Sequence, residues 1–114
     1  MNRIQSTMAA EALLREPLAF IFKHSTRCPF CAAAFREVEA FLKAHPDAPL
    51  HLLLVVEDRN VSNFVADRCR VRHESPQLIV LKNGRVVWQQ SHEGITRAAL
   101  EEHLPSHNPS RTTT

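Results

Sequence analysis

The chain has 114 residues, 44% of them hydrophobic and 23% charged, with a formal net charge of +2 at pH 7. That length provides one domain with a single core and leaves no room for a second catalytic domain. So mild a charge, with no basic run interleaved with aromatics, argues against nucleic acid as a partner. No apolar run approaches bilayer-spanning length, and Met1 to Gln5 leads into no signal-peptide pattern; the expectation is a cytoplasmic monomer with no membrane partner. Three cysteines, an odd number, point to reduced, reactive thiols rather than to a secreted disulfide framework.

In chain order, residues 6 to 15 place Ala9, Ala10, Leu13 and Leu14 among polar neighbours, which predicts a short helix ended by Pro17. Leu18 to Phe22 is a continuous apolar run bounded by Pro17 and Lys23, short enough for a strand covered on both faces. After Cys28, the positions Cys31, Ala34, Phe35, Val38, Phe41 and Leu42 recur at helical spacing with Arg36, Glu37, Glu39 and Lys43 opposite. This second helix stops at His45-Pro46. Leu50 to Val56 is the strongest strand and an interior one, joined through that helix to the first strand and so parallel to it.

Val61, Phe64 and Val65 predict a third helix running to about Cys69. Leu78 to Leu81, the dipeptide Asn83-Gly84 and Val86 to Trp88 form a hairpin around a two-residue turn that prefers positive φ. Thr96 caps a last helix carrying Leu100 and Leu104, ended by Pro105. The domain is therefore placed at residues 1–105, and the polar segment 106–114, with nothing to bury, is expected to be a disordered tail.

The most informative feature is Cys28-Pro29-Phe30-Cys31, set between the first strand and the second helix. The first turn of a helix offers unpaired N–H groups and the positive end of the dipole, which favour a thiolate at Cys28. Cys31, one turn on, lies within reach of a mixed disulfide formed at Cys28. A free thiol with a pKa near 8.5 is only about 3% ionised at pH 7. A drop of about two units, worth about 2.7 kcal/mol, makes most of it reactive. Arg27 and His24 flank this loop, and Arg72 and His73 precede Pro76; together they form a weakly basic rim, or simply a solvated loop face.

Two further readings stay open at this stage. Cys69 and His73, joined to Cys28 and Cys31, have a spacing that zinc accepts, so a metal-binding thiol module competes with redox chemistry. Cys69 by itself reads as a small buried hydrophobe near a helix end, with a secondary redox role behind that. Pro76, just before the third strand, either begins that strand or is cis in a tight turn.

The predicted order is helix, strand, helix, strand, helix, strand, strand, helix, with a parallel pair followed by an antiparallel hairpin. It resembles the thioredoxin fold, and the expectation is an α/β domain with a central four-stranded mixed sheet flanked by helices. The segments Phe22 to Pro29, His73-Glu74-Ser75-Pro76-Gln77, Ser91-His92 and Ile95-Thr96 further resemble the YtxJ-like bacilliredoxins, a thioredoxin-fold family of the bacillithiol system. That resemblance covers nearly the whole chain before the tail. It implies a thiol-disulfide oxidoreductase that removes bacillithiol from S-thiolated client proteins, with bacillithiol or another low-molecular-weight thiol as co-substrate and no bound cofactor or metal. Cys28 is then the attacking thiol, Cys31 its companion, and Arg27, Pro29, Ser75 and Pro76 the substrate-binding residues, with Ser75-Pro76 as a cis bond.

This chain departs from the family's monothiol pattern by having Cys31 where serine commonly stands, which opens an internal Cys28–Cys31 disulfide. It is also unlike ordinary thioredoxin, having no tryptophan before Cys28 and no acidic residue in the first core strand. A general thioredoxin- or glutaredoxin-like reductase remains the nearest alternative, although Ser91-His92-Glu93-Gly94 does not supply the glutathione-binding pattern of glutaredoxins.

Overall fold

The computed structural model describes residues 1–105 and contains β1 (Asn2–Arg3), α1 (Thr7–Leu13), β2 (Leu18–His24), α2 (Pro29–Ala44), β3 (Leu50–Leu54), α3 (Arg59–Cys69), β4 (Gln77–Lys82), β5 (Arg85–Ser91), a 3₁₀ turn (His92–Gly94) and α4 (Arg97–Glu101). The tail expected over 106–114 lies outside the described residues. One sheet runs in the order β1-β3-β2-β4-β5, with β2 parallel to β3 and antiparallel to β4. It has five strands rather than four: the two-residue β1 pairs in parallel with β3 at His51 and Leu52. A strand so short shows no periodicity, so its pairing is settled by tertiary contact, with Ile4 buried just beyond it.

Strand alternation sends successive β2 residues to opposite faces. Ala19 and Ile21, with Ile79 and Leu81 of β4, pack against Leu13 of α1 and Val61 and Val65 of α3. Phe20 and Phe22, with Leu78 and Val80, pack against Val38 and Phe41 of α2 and Leu100 of α4. Ser6 and Thr96 cap α1 and α4 by accepting from Ala9 N–H and Ala99 N–H at 3.1 Å each. The α2 and α4 helices are further tied at the end away from the cysteines, where His45 Nε2 lies 2.8 Å from Glu101 Oε2.

The sheet's polar end carries a feature that positions the rest. The β2 strand continues past Phe22 through Lys23 and His24, and Lys23 is fully buried. Its ammonium donates to the Ser62 carbonyl at 3.1 Å and reaches Nδ1 of His73 at 3.2 Å. Its cross-strand partner Gln77 is equally buried. The Gln77 amide donates to the Arg72 carbonyl at 3.0 Å and accepts from Glu74 N–H at 3.4 Å. Two buried polar side chains, side by side on one face, thus hold the 72–76 segment by three of its residues. Burial pushes the Lys23 pKa down to about 8 from its ordinary 10.5, and the nearby Cys69 thiol only partly offsets it.

The β4–β5 turn behaves as its dipeptide dictates, with positive φ at Asn83 (51°) and Gly84 (79°). A Cβ on Gly84 would also stand 2.5 Å from the Leu14 carbonyl oxygen, because the turn closes onto the end of α1. Gly84→Ala is therefore expected to destabilise the fold by about 1–3 kcal/mol in urea melts, with the site chemistry intact. Lys23 yields a second expectation, on pH. Between pH 8 and 10.5 the unfolded chain keeps a proton that folded Lys23 has released, so this residue's contribution to stability rises with pH across that window and is flat below it. Urea melts of wild type and Lys23→Met should show the difference moving toward the wild type by on the order of 3 kcal/mol from the bottom of the window to the top. A difference that does not change with pH would refute the assignment.

Candidate active site

Three segments converge at the end of the sheet: residues 24–31 after β2, residues 72–77 before β4, and residues 91–96 after β5. Backbone bonds link them in part, with His92 N–H donating to the Pro76 carbonyl at 3.2 Å. The Ser75-Pro76 bond is cis, as expected, and Pro76 is buried. Its position follows from the grip on Arg72, His73 and Glu74 by Gln77 and Lys23.

Cys28 is the N-cap residue of α2, in extended conformation (φ −101°, ψ 118°), with Pro29 opening the helix behind it. Its side chain makes no capping hydrogen bond to the helix. Cys28 is half-buried, whereas Cys31 is completely buried. Cys31 Sγ lies 3.5 Å from Ser75 Oγ, so the second cysteine touches the cis-proline segment. Burial pushes the Cys31 thiol up; hydrogen bonds from Ser75 and the Ser25 backbone oppose this, and the neighbouring Cys28 sulfur adds to it. The two sulfurs are thus in mutual contact, and the inner one is biased to keep its proton.

The predicted substrate-binding residues take three different positions. Arg27 and Pro29 are exposed on either side of Cys28, Ser75 contacts Cys31, and Pro76 lies beneath them. The basic rim is smaller than expected. His24 is buried and its ring packs against Phe22 and Phe35, with centroids 5.5 and 4.8 Å away; burial pushes its pKa down, against a smaller upward pull from Glu57. His73 is also pushed down, by burial and then by Lys23, so it serves as an acceptor for the lysine. Arg27 and Arg72 remain the exposed cations of the original four.

Cys69 faces Lys23 and packs with the α1–α3 side of the core. Among the described residues no three His, Cys, Asp or Glu side chains are grouped to hold a metal ion. An open cleft of about 390 Å³ borders Cys28, lined by His24, Ser25, Thr26, Ala32, Phe35 and Arg36. Lys23, Gln77, Phe35 and Arg36 were not singled out from the sequence as site residues. The available signal for Lys23 was a lysine placed between Phe22 and His24, where continued alternation turns it inward. No helix of the described residues is long and apolar enough to cross a membrane.

Comparison with known proteins fits this geometry. The family model described as monothiol bacilliredoxin BrxC matches residues 2–100. A solved structure described as a proposed oxidoreductase with a thioredoxin fold shares 30% identity over 89% of this chain and 90% of its own, with a TM-score of 0.81. Mitochondrial thioredoxin 3 of Saccharomyces cerevisiae, in its oxidized form, aligns at 18% identity over 90% and 91% of the two chains with a TM-score of 0.69. Thioredoxin of Trypanosoma brucei brucei aligns at 16% over 88% and 87% with a TM-score of 0.71. These last two speak to the fold alone. The chain belongs to the monothiol bacilliredoxin family of the thioredoxin superfamily, and it is a thiol-disulfide oxidoreductase.

Proposed function

We propose that the protein reduces mixed disulfides between a low-molecular-weight thiol, bacillithiol in this family, and the cysteines of client proteins. The observation that carries the reading is the division of labour between the two sulfurs: Cys28 half-exposed at the helix start, Cys31 buried and held protonated beside it. The Cys28 thiolate attacks one sulfur of the mixed disulfide; a new S–S bond forms at Cys28, the old one breaks, and the departing thiolate takes a proton from solvent. Arg27 and Pro29 border the incoming disulfide, and the backbone at Ser75, kept in place by the cis bond to Pro76, is available to pair with it. The same reading takes the cytoplasm, where thiols are kept reduced, as the working compartment and a single chain as the working unit.

The presence of Cys31 favours a dithiol cycle over the monothiol one of the family. Cys31 lies one turn along α2 and loses its proton reluctantly, so it acts after the first exchange, attacking the Cys28 sulfur to close an internal disulfide and release the bound thiol. Ser75 stands ready to stabilise the thiolate that forms there.

Cys28→Ser is expected to reduce release of the small thiol from an S-thiolated client to the uncatalysed rate. Cys31→Ser should instead accumulate a stable adduct at Cys28, while the wild type releases the thiol and gains an internal disulfide. Intact-mass measurement after equal exposure reads both outcomes. Closure should quicken as pH rises through and above the ordinary thiol range, because the raised pKa of Cys31 must be passed before it can attack. Equal adduct in wild type and Cys31→Ser would mean that Cys31 is idle and that a second small thiol resolves the adduct.

A further inference from the structure

Lys23 has no part in the exchange chemistry described so far, yet its contacts lead to the second cysteine in a few short links. Its ammonium reaches Nδ1 of His73 at 3.2 Å and donates to the Ser62 carbonyl at 3.1 Å. His73 stands two residues before Ser75, whose Oγ lies 3.5 Å from Cys31 Sγ. On either side of His73 the backbone is held as well, since Gln77 engages the Arg72 carbonyl at 3.0 Å and Glu74 N–H at 3.4 Å. The ring of His73 is thus the one side-chain grip on the stretch that carries Ser75 to the sulfur.

The lysine's charge does not act on Cys31 directly. Cys31 feels Ser75, the Ser25 backbone and Cys28, whereas Lys23 faces Cys69 and His73, and His73 in turn faces Glu74 and Arg59. Any influence of Lys23 on Cys31 therefore passes through residues 73–75, and the last link is the sensitive one. A hydroxyl 3.5 Å from a sulfur forfeits its hydrogen bond on withdrawing by about an ångström. Cys31 would then keep the burial and the Cys28 neighbour that push its pKa up, and lose the side chain that opposes them.

We propose that Lys23 is a positioning residue for closure of the internal disulfide, acting through His73 to keep the Ser75 hydroxyl against Cys31. The inference rests on the dithiol cycle above and adds to it a control point outside the cysteine pocket. In that step Cys31 gives its proton to solvent and its sulfur attacks Cys28. The Cys28–Cys31 bond forms as the bond from Cys28 to the small thiol breaks, and the small thiol leaves with that electron pair and is protonated by solvent. Losing one hydrogen bond to the thiolate cuts the ionised fraction of Cys31 by about tenfold. Nucleophilicity recovers a little under half of this on a logarithmic scale, so closure slows by about threefold. Titration of Lys23 leaves the link in place, because the neutral amine still carries N–H groups.

The test follows closure itself. Reduced protein is mixed with enough bis(2-hydroxyethyl) disulfide that closure limits the reaction, quenched in acid, and assayed by mass for the Cys28 adduct and the internal disulfide across the pH range. In Lys23→Met and in His73→Ala, closure below the thiol range should slow by about threefold and level off at higher pH than in wild type, as in Ser75→Ala. His73→Asn, whose amide oxygen can stand where Nδ1 does, should restore the wild-type profile. Lys23→Met combined with Ser75→Ala should close no more slowly than Ser75→Ala alone, since both remove the same link, whereas a general loosening of the fold would make the two effects add. Closure indifferent to Lys23→Met and His73→Ala, or additive effects in the double variant, overturns the positioning role and leaves exchange at Cys28 standing. Should Lys23→Met fail to fold, His73→Ala, alone and combined with Ser75→Ala, decides the matter. A wild type that forms the adduct and never closes would bring down the dithiol cycle, and this inference with it.

Discussion

The burial of one ammonium group without a carboxylate partner is the constraint on which the site depends. Lys23 sits where the sheet runs out of apolar residues, and its charge is met by a carbonyl and a ring nitrogen instead of by an anion. Such a group is costly to bury and costly to leave unpaired, so its acceptors cannot drift. One acceptor belongs to α3 and the other to the segment before β4. Gln77, beside it in register, holds the same segment by its backbone. The loop bearing Ser75 and Pro76 is thereby attached to the rigid sheet, although it has no regular structure of its own. A loop positioned in this way can present backbone groups to a substrate without first paying to order them.

The same arrangement explains why two cysteines three residues apart differ so much. The first lies at the exposed mouth of a helix, where backbone N–H groups and the dipole face solvent. The second, one turn down, meets the apolar interior and the Ser75 hydroxyl. Their difference in exposure arises from depth along the first turn of α2: Cys28 is half-buried and Cys31 completely buried. Ordinary thioredoxins approach the problem with a buried acid in the first core strand; here that strand offers Phe22 on the cysteine side and directs its one charge, Lys23, to the opposite face.

Much of this was legible in the sequence because it rests on local rules. The apolar run at Leu18, the helical spacing after Cys28, the Asn83-Gly84 turn and the Thr96 cap each specify their own element. Pro76 could be placed against the cysteines once that order resembled a known topology. The histidines were misjudged for a physical reason: sequence shows that His24 and His73 lie near the reactive loop, but whether an imidazole is charged there depends on burial and on what its nitrogens touch. Lys23 was read as the end of a strand, since a lysine after five apolar residues is far more often a boundary than a buried anchor. Residues that act across the fold, such as Gln77 on Arg72 or Arg36 on the cleft, leave no local pattern. They become visible only when β4 and α2 are set beside their neighbours.

Three successive residues of β2 serve three different ends. Phe22 supports the packing of α2, Lys23 fixes the cis-proline segment on the other face, and His24 lines the cleft beside Cys28. Because a strand alternates strictly, these assignments are locked to one another by chain count rather than by identity. Side chains here can be exchanged one at a time, with graded losses. A single-residue insertion or deletion within the paired stretch from Leu18 to Lys23 would instead turn the lysine toward the phenylalanines or a phenylalanine toward His73, undoing core and anchor together. The spacing of this stretch is therefore less negotiable than any letter in it, and a change of loop length is tolerable here only where it does not shift the phase of β2.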